Sequence, residues 1–175
     1  MIGLGDLNAR FRVYVQNRPP LPQYQQLWQL QALQAGEIDQ IYRDCGNGWR
    51  KLFNVYAKLL FELGPAFGFA QQAPSWQQYR DQRLLQQGSG TALLFSPPDL
   101  AATDCIHLIA GRSCAKDWLA QGMLDSQLHW LNEEFAIDPA NRLLVTPYFD
   151  YRQLSNEKIT RAVALLQQLQ PRLSV

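Results

Sequence analysis

Residues 105–151, CIHLIAGRSCAKDWLAQGMLDSQLHWLNEEFAIDPANRLLVTPYFDY, decide the fold. Two apolar runs in this segment, residues 106–110 and 143–145, end abruptly, the first at Gly111 and the second at Thr146 and Pro147. A helical pattern follows the first run directly and the second run after a polar loop. This arrangement is typical of parallel strands in an α/β sheet, and ligands usually bind at the carboxyl ends of such strands.

Two further strands are predicted earlier in the chain. Residues 11–16, FRVYVQ, alternate apolar and polar side chains and stop before Asn17 and Pro19, and residues 91–95, TALLF, form an apolar run that stops at Ser96. A pair of prolines follows each run, and proline cannot donate a hydrogen bond to a sheet. Four strands separated by helical segments predict an α/β fold. We expect a three-layer sandwich with a central, mostly parallel sheet of about four strands and helices on both faces.

Helical periodicity occupies most of the chain between these strands. Apolar residues at helical spacing predict helices near residues 24–33, 37–63, 75–87, 113–119, 124–135 and 156–169. Gly46 and Gly48 interrupt the second of these runs, so we expect a break between two helices there. We interpret residues 1–175 as a single α/β domain, because a chain of 175 residues suffices for one core and is short for two.

Composition argues against some classes of protein. Hydrophobic residues make up 47% of the chain and charged residues 18%, as in soluble globular proteins. The formal net charge is only +1, and the sequence shows no basic stripe of the kind that nucleic-acid-binding proteins use to contact phosphates. A cluster of Arg10, Arg12 and Arg18 comes nearest to one. We expect this cluster to be ordinary surface charge.

Cysteine usage and hydropathy predict the compartment. The three cysteines, Cys45, Cys105 and Cys114, lack the CxxC spacing of zinc sites, so we expect reduced thiols and no metal or other cofactor. No apolar run approaches the roughly 20 residues that span a bilayer. The first residues also lack the apolar segment of a secretory signal. The sequence therefore predicts a cytoplasmic protein without a membrane partner.

Proline and small polar residues follow three of the four predicted strands, and the sequence GRSC follows the strand at residues 105–110. If the strands are parallel, these loops meet at one edge of the sheet, and that edge is the predicted site. Asp150 is the candidate carboxylate at this edge, although an aspartate in this position also suits a turn or a helix cap. The candidate ligand-binding residues are Pro19, Ser96, Gly111, Ser113 and Tyr148.

Residues 111–114, GRSC, allow two interpretations. The small residues around Ser113 resemble a nucleophile elbow. However, His107 lies within a predicted strand and His129 on a predicted helix, so neither is placed to activate Ser113 or Cys114. The alternative is a tight strand-to-helix turn whose free backbone N–H groups hold an anion. We prefer the anion-binding turn.

Several short motifs resemble those of the uracil-DNA glycosylase superfamily. Residues 13–19 are similar to its first strand and water-positioning loop, and residues 93–96 to its second strand. Residues 106–111 resemble its third strand and turn. Residues 145–148, with Leu154 beyond them, occupy the place of its His-Pro-Ser loop and intercalating leucine. The resemblance implies a central parallel sheet with helices on both sides, and an enzyme that flips a base into a pocket.

The same resemblance assigns roles to individual residues. It implies that Asn17 orients water, that Ser96 stands where the family usually has a pyrimidine-reading Asn, and that Thr146 stands where the family has a His. Asn17 and Thr146, with Asp150, are therefore the candidate catalytic residues. The family's His stabilises the departing base, and loss of such a donor typically costs about 10²–10³ in rate. The two departures predict that ordinary uracil excision is lost.

Three functions stay open, and the sequence alone leaves it uncertain whether the protein is an enzyme. A binding or interaction protein on a glycosylase-like scaffold would be favoured by a filled or absent pocket. A nucleobase- or nucleoside-directed glycosidase-like enzyme would be favoured by a pocket that joins Asn17, Ser96 and Thr146. A phosphate or nucleotide binder would use residues 111–113. The possible partners are accordingly a nucleobase, a nucleotide or single-stranded nucleic acid.

Overall fold

The structure, a computed structural model, describes residues 1–170. Within this range the chain forms eight strands, six α-helices and two 3₁₀ helices. The strands are β1 (Gly3–Gly5), β2 (Phe11–Tyr14), β3 (Leu30–Gln31), β4 (Thr91–Leu94), β5 (Ile106–Ala110), β6 (His129–Trp130), β7 (Ala136–Asp138) and β8 (Leu143–Thr146). The α-helices are α1 (Pro22–Gln25), α2 (Glu37–Cys45), α3 (Asn47–Glu62), α4 (Trp76–Gln82), α5 (Arg112–Ala120) and α6 (Asn156–Leu169), and the 3₁₀ helices are Ala70–Gln72 and Pro139–Asn141.

All eight strands belong to one sheet, in the order β3-β1-β4-β2-β5-β8-β7-β6. The four central strands, β4, β2, β5 and β8, are parallel to their neighbours within this group. On one side β1 joins β4 in antiparallel orientation and carries β3, and on the other side β7 and β6 continue the sheet in antiparallel steps. The α/β class is therefore confirmed.

The expected number of strands is wrong. The four predicted strands form the centre of the sheet, but the whole sheet is twice as large and mixed rather than mostly parallel. The four additional strands are only two or three residues long. Segments of this length are too short to show an alternating pattern, so their pairing depends on the strands that are already in place.

Alternating side chains of the central strands enter two separate hydrophobic clusters. Val13, Leu108 and Leu144 belong to the larger cluster, which contains the buried faces of α2, α3 and α6. Their chain neighbours Tyr14 and Ile109 belong to the smaller cluster, which contains the buried face of α5. Because successive side chains of a strand point to opposite faces, the sheet carries helices on both sides.

Two predicted helices are wrong. The segment 24–33 contains only the last two residues of the short α1, and its residues Leu30–Gln31 form β3 beside β1. The segment 124–135 is a loop followed by the β6–β7 hairpin, in which the Asn132 side-chain oxygen accepts hydrogen bonds from the backbone N–H groups of Glu134 and Phe135, both at 2.8 Å. This side-chain turn replaces the helical backbone bonds.

Other helices agree with the sequence pattern. The break near Gly46 is confirmed, because Gly46 has a φ of +95° and separates α2 from α3. Residues 156–169 form α6, and the predicted segments 113–119 and 75–87 correspond to α5 and to the shorter α4. Within residues 1–170, every helix is too short or too polar to cross a membrane.

Candidate functional site

A cavity of about 580 Å³ opens at the carboxyl ends of three neighbouring parallel strands, β2, β5 and β8. The chain leaves β2 to form β4 on one side and later returns to form β5 on the other side. The ends of β2 and β5 therefore flank a topological switch point, where open α/β sheets usually bind ligands. The wall is formed by Gln16, Asn17, Ala110, Gly111, Arg112, Ser113, Cys114, Glu133, Glu134, Pro147, Tyr148, Arg152, Gln153 and Lys158.

Gly111 forms the corner between β5 and α5. Its φ of +104° is a conformation that residues with a side chain rarely adopt. An added Cβ would lie 3.8 Å from the Cβ and Cδ2 atoms of Tyr148, which is ordinary contact. Backbone conformation rather than lack of space therefore requires glycine. The Gly111 N–H donates to the Thr146 carbonyl at 2.8 Å, which holds the corner against the end of β8.

The amino terminus of α5 supplies free backbone donors. No side chain caps it, and the first N–H groups of an α-helix have no acceptor within the helix. The residues that carry these groups, Arg112, Ser113 and Cys114, all line the cavity. The positive end of the helix dipole adds to the attraction for an anion.

The cavity wall carries three cations and two carboxylates. Lys158 Nζ lies 2.8 Å from Glu134 Oε2, and Arg112 Nη1 lies 3.9 Å from Glu133 Oε2. Arg152 has no carboxylate within 4.0 Å in the part of the chain that the structure describes. The Arg112 pair is largely exposed, and exposed pairs of this kind contribute only about 0–1 kcal/mol. An incoming anion can therefore compete for Arg112 and meet Arg152 directly.

Two ionisable groups in the wall are neutral at physiological pH. Burial, with a smaller contribution from Asp117, raises the pKa of the Cys114 thiol to about 12. Burial, followed by the charge of Asp150, also raises the pKa of Tyr148 above its ordinary value. Because the thiolate is the reactive form of cysteine, this raised pKa argues against Cys114 as a nucleophile.

Four of the predicted site residues meet at this cavity, namely Asn17, Gly111, Ser113 and Tyr148. The other four lie outside its wall. The Ser96 hydroxyl accepts a hydrogen bond from the backbone N–H of Ile2 at 3.1 Å, at the end of β4. The structure therefore does not join Asn17, Ser96 and Thr146 in one pocket.

Thr146 and Pro19 are buried structural residues. The Thr146 hydroxyl is fully buried and donates to the Pro147 carbonyl at 2.8 Å. The Pro19 carbonyl accepts from the Leu21 N–H, also at 2.8 Å, and shapes the loop before α1. Neither residue offers a free polar group to the cavity.

Asp150 stabilises a turn. Its Oδ1 accepts from the Arg152 N–H at 2.9 Å, and its Oδ2 lies 3.6 Å from Lys51 Nζ. Its carbonyl accepts from the N–H of Leu154 at 2.7 Å. The Leu154 side chain is fully buried in the larger cluster, so it does not project from the surface as an intercalating leucine must.

Sequence reasoning missed four of the five charged residues of the wall, namely Glu133, Glu134, Arg152 and Lys158. Glu133 and Glu134 were placed on the predicted helix 124–135, whereas the β6–β7 turn brings them to the cavity. Asn132, a residue that often forms side-chain turns, was the available signal for that turn. Arg152 and Lys158 follow β8 without any local motif, and only the tertiary fold brings them to this edge.

The described residues contain no group of three or more His, Cys, Asp or Glu side chains that could hold a metal ion. All three cysteines are free thiols. The features of this cavity that suit an anionic ligand are backbone N–H groups, cationic side chains, side-chain amides and one aromatic ring, beside the carboxylates of Glu133 and Glu134.

Comparison with known proteins gives one result. Residues 2–167 match the model of a family of unknown function, DUF6942. The chain belongs to this family. The matched range contains every residue of the cavity wall, from Gln16 to Lys158. Searches of curated proteins and of solved structures gave no match.

Proposed function

We propose that this protein binds a small phosphate-bearing ligand, a nucleotide by chemical class, in the cavity at the ends of β2, β5 and β8. One observation carries the proposal. The cavity at the switch point is lined by the uncapped amino terminus of α5 and by Arg152, a cation with no carboxylate partner within residues 1–170.

Phosphate fits this combination of donors. Backbone N–H groups at a helix start and an arginine side chain both bind phosphate oxygens, and arginine can do so through two parallel hydrogen bonds. The volume of about 580 Å³ falls within the range of roughly 300–1,000 Å³ that is usual for small-molecule sites. Asn17, Pro147 and Tyr148 add an amide and an apolar surface that inorganic phosphate alone does not need. These residues favour a ligand that also carries a ring.

The proposal predicts a difference between nucleosides and nucleotides in thermal unfolding. We expect nucleoside phosphates to raise the Tm and the matching nucleosides to leave it unchanged, because only the former bring an anion to α5. A ligand at 100 times its Kd adds about 2.7 kcal/mol to the free energy of unfolding. For a chain of this size that corresponds to a rise in Tm of roughly 5–10 °C.

Two variants and a matched control test whether the rise in Tm with nucleotides results from binding in the cavity. Arg152→Gln and Lys158→Gln should each reduce the nucleotide-induced shift, because they remove cations of the wall. Arg161→Gln removes the same charge from the exposed surface of α6 outside the wall and should keep the shift. Equal shifts for nucleosides and nucleotides, or an unchanged shift in Arg152→Gln, would contradict the proposal.

A second candidate is a glycosidase-like activity in which Asn17 positions water. The observation in its favour is that Asn17 and Tyr148 line the same cavity. The positions of Ser96 and Thr146 outside the cavity wall weaken this second candidate. The third function, an interaction protein without a pocket, is not supported either, because the cavity is open. Chromatographic detection of free base after incubation with nucleosides or uracil-containing DNA separates this activity from binding alone. Base release that disappears in Asn17→Ala would support it.

A further inference from the structure

The outward face of α3 carries a concentration of positive charge. Arg50, Lys51 and Lys58 lie on it at helical spacing. Together with Asn47, Asn54, Val55 and Tyr151 they line a groove of about 350 Å³. The described lining contains no carboxylate, although Asp150 lies beside it and its Oδ2 is 3.6 Å from Lys51 Nζ. The whole chain has a formal net charge of only +1, so this groove departs strongly from the average surface.

Aromatic rings lie beside these cations. Lys51 Nζ is 5.1 Å from the ring centroid of Tyr151, and Lys58 Nζ is 5.0 Å from that of Trp76. The Tyr151 ring belongs to the turn after β8 and is 54% exposed, although most large apolar side chains of the chain are buried. The groove thus combines exposed positive charge with an accessible aromatic face.

The arginines that are clustered in the sequence have a different environment. Arg18 Nη1 donates to the carbonyls of Tyr24, Gln25 and Leu27 at 3.2, 2.9 and 2.9 Å. Arg10 donates to the Phe67 carbonyl. These side chains hold loops together, whereas no ion-pair partner within residues 1–170 engages Arg50 or Lys58. The basic surface that the linear sequence does not show is therefore on α3.

We propose that the α3 groove, lined by the seven residues named above, binds single-stranded nucleic acid. Arg50 and Lys58 contact the phosphates, and the exposed Tyr151 ring stacks on an unpaired base. Base pairs in a duplex would not expose a face to this ring, so a single strand fits better than a duplex. An acidic peptide would use the cations but not the ring. Arg152 lines the cavity, and its Cζ lies 5.8 Å from the centroid of the Tyr151 ring. The linings of the cavity and of the groove share no residue, so the proposal does not depend on a nucleotide in the cavity.

Fluorescence anisotropy with a labelled oligothymidylate of 12 nucleotides tests this groove over a range of NaCl concentrations. Salt weakens the binding of a single strand, and each phosphate contact makes the slope of log K against log [salt] more negative by about 0.7. Arg50→Gln with Lys58→Gln should therefore reduce the magnitude of the slope by about 1.4 and weaken binding at low salt by tenfold or more. Tyr151→Ala should weaken binding by roughly tenfold and leave the slope unchanged, because stacking releases no counterions.

The matched control removes two cations that also lie over aromatic rings but outside the groove. Lys116 lies over Trp130 and Arg161 over Phe135, and the double variant Lys116→Gln with Arg161→Gln should bind as the wild-type protein does. Circular dichroism and Tm measurements test whether each variant is folded. If the double variant of the groove does not fold, the single variants Arg50→Gln and Lys58→Gln are measured in its place.

Three results would overturn the assignment. The first is that the oligonucleotide does not bind at low salt. The second is that the double variant of the groove and the double control variant weaken binding equally. The third is that polyglutamate of the same length displaces the labelled oligonucleotide as readily as unlabelled oligonucleotide does.

Discussion

His107 connects three segments of the chain through its two ring nitrogens. Its Nε2 lies 2.9 Å from the Ala102 carbonyl, which can only accept, so Nε2 carries the proton. Its Nδ1 then accepts a hydrogen bond from the Tyr14 hydroxyl at 2.7 Å. The side chain is fully buried and lies outside the cavity wall, which gives it a structural role in joining β2, β5 and the loop that precedes β5.

The burial of His107 predicts a pH dependence of stability. Burial lowers its pKa below the ordinary value of 6.5, so the unfolded chain binds more protons than the folded chain under mildly acidic conditions. The contribution of His107 to the free energy of unfolding is complete above about pH 6.5 and decreases as the pH falls toward the lowered folded pKa. Urea unfolding between about pH 7 and about pH 5.5 should show this decrease.

The second histidine provides the control for this measurement. His129 lies exposed on the edge strand β6, so His129→Gln should keep the pH dependence of the wild-type protein. His107→Gln should lower stability at every pH and flatten the dependence. Parallel curves for the wild-type protein and His107→Gln would contradict this role.

Single residues also show where sequence reasoning about the site succeeded and failed. Asn17, Gly111 and Tyr148 were found because each lies within three residues of the end of a parallel strand, and the ends of such strands meet at one edge. Ser96 also follows a parallel strand but lies outside the cavity. The backbone N–H of Ile2 donates to its hydroxyl, because β1 pairs with β4 and brings the beginning of the chain to that strand end. A contact across such a distance in sequence leaves no local pattern.

The sequence pattern predicted the longer helices and strands, but it missed the strands of two or three residues and predicted helices at 24–33 and 124–135 that do not form. The apolar residues of α6 recur at helical spacing, those of β2 alternate with polar ones, and β4, β5 and β8 are mostly apolar. Each of these patterns is visible in a single sequence. The strands β3 and β6 contain two residues each and exist only because a neighbouring strand offers hydrogen bonds. Their formation is a property of the assembled sheet.

The corner between β5 and α5 gives a prediction about glycine. Gly111→Ala forces a side chain into a φ of +104° and should lower the free energy of unfolding by about 1–3 kcal/mol, measured by urea denaturation. Gly111→Ala should also weaken the binding of any ligand that contacts the amino terminus of α5.

A second glycine separates conformational strain from a general effect of alanine. Gly48 lies in α3 and is not among the glycines with positive φ. A Cβ added to Gly48 would meet no atom within 4 Å. Gly48→Ala should therefore leave stability unchanged or raise it by up to about 1 kcal/mol, because alanine favours the helix. Similar losses in Gly48→Ala and Gly111→Ala would show that the corner has no special conformational requirement.

The helices α3 and α6 both bury one face in the larger hydrophobic cluster. The Tyr56 hydroxyl of α3 donates to the Ala92 carbonyl of β4 at 2.9 Å, and Gln167 of α6 donates to the Leu63 carbonyl after α3 at 3.2 Å. The last described helix is therefore attached to the middle of the chain and also supplies Lys158 to the cavity wall.

This arrangement predicts that α6 contributes to global stability. Leu166 is fully buried in the larger cluster, so Leu166→Ala should lower the free energy of unfolding by about 2–5 kcal/mol, with a single cooperative transition in urea. Thr160, on the exposed face of the same helix, is the control, and Thr160→Ala should change stability by no more than about 0.5 kcal/mol. A separate early transition in Leu166→Ala would show instead that α6 unfolds independently.

The position of β1 inside the sheet has a consequence during synthesis on the ribosome. Gly3 pairs with Leu94, and β1 lies between β3 and β4 rather than at an edge of the sheet. At a translation rate of about 5–20 residues per second, the partner strand follows roughly 5–20 s later. During that interval Leu4, which is buried in the finished fold, has only the two-residue strand β3 as a possible neighbour in the sheet. The nascent chain therefore depends on delayed pairing, and factors that shield apolar segments on the ribosome should increase its yield.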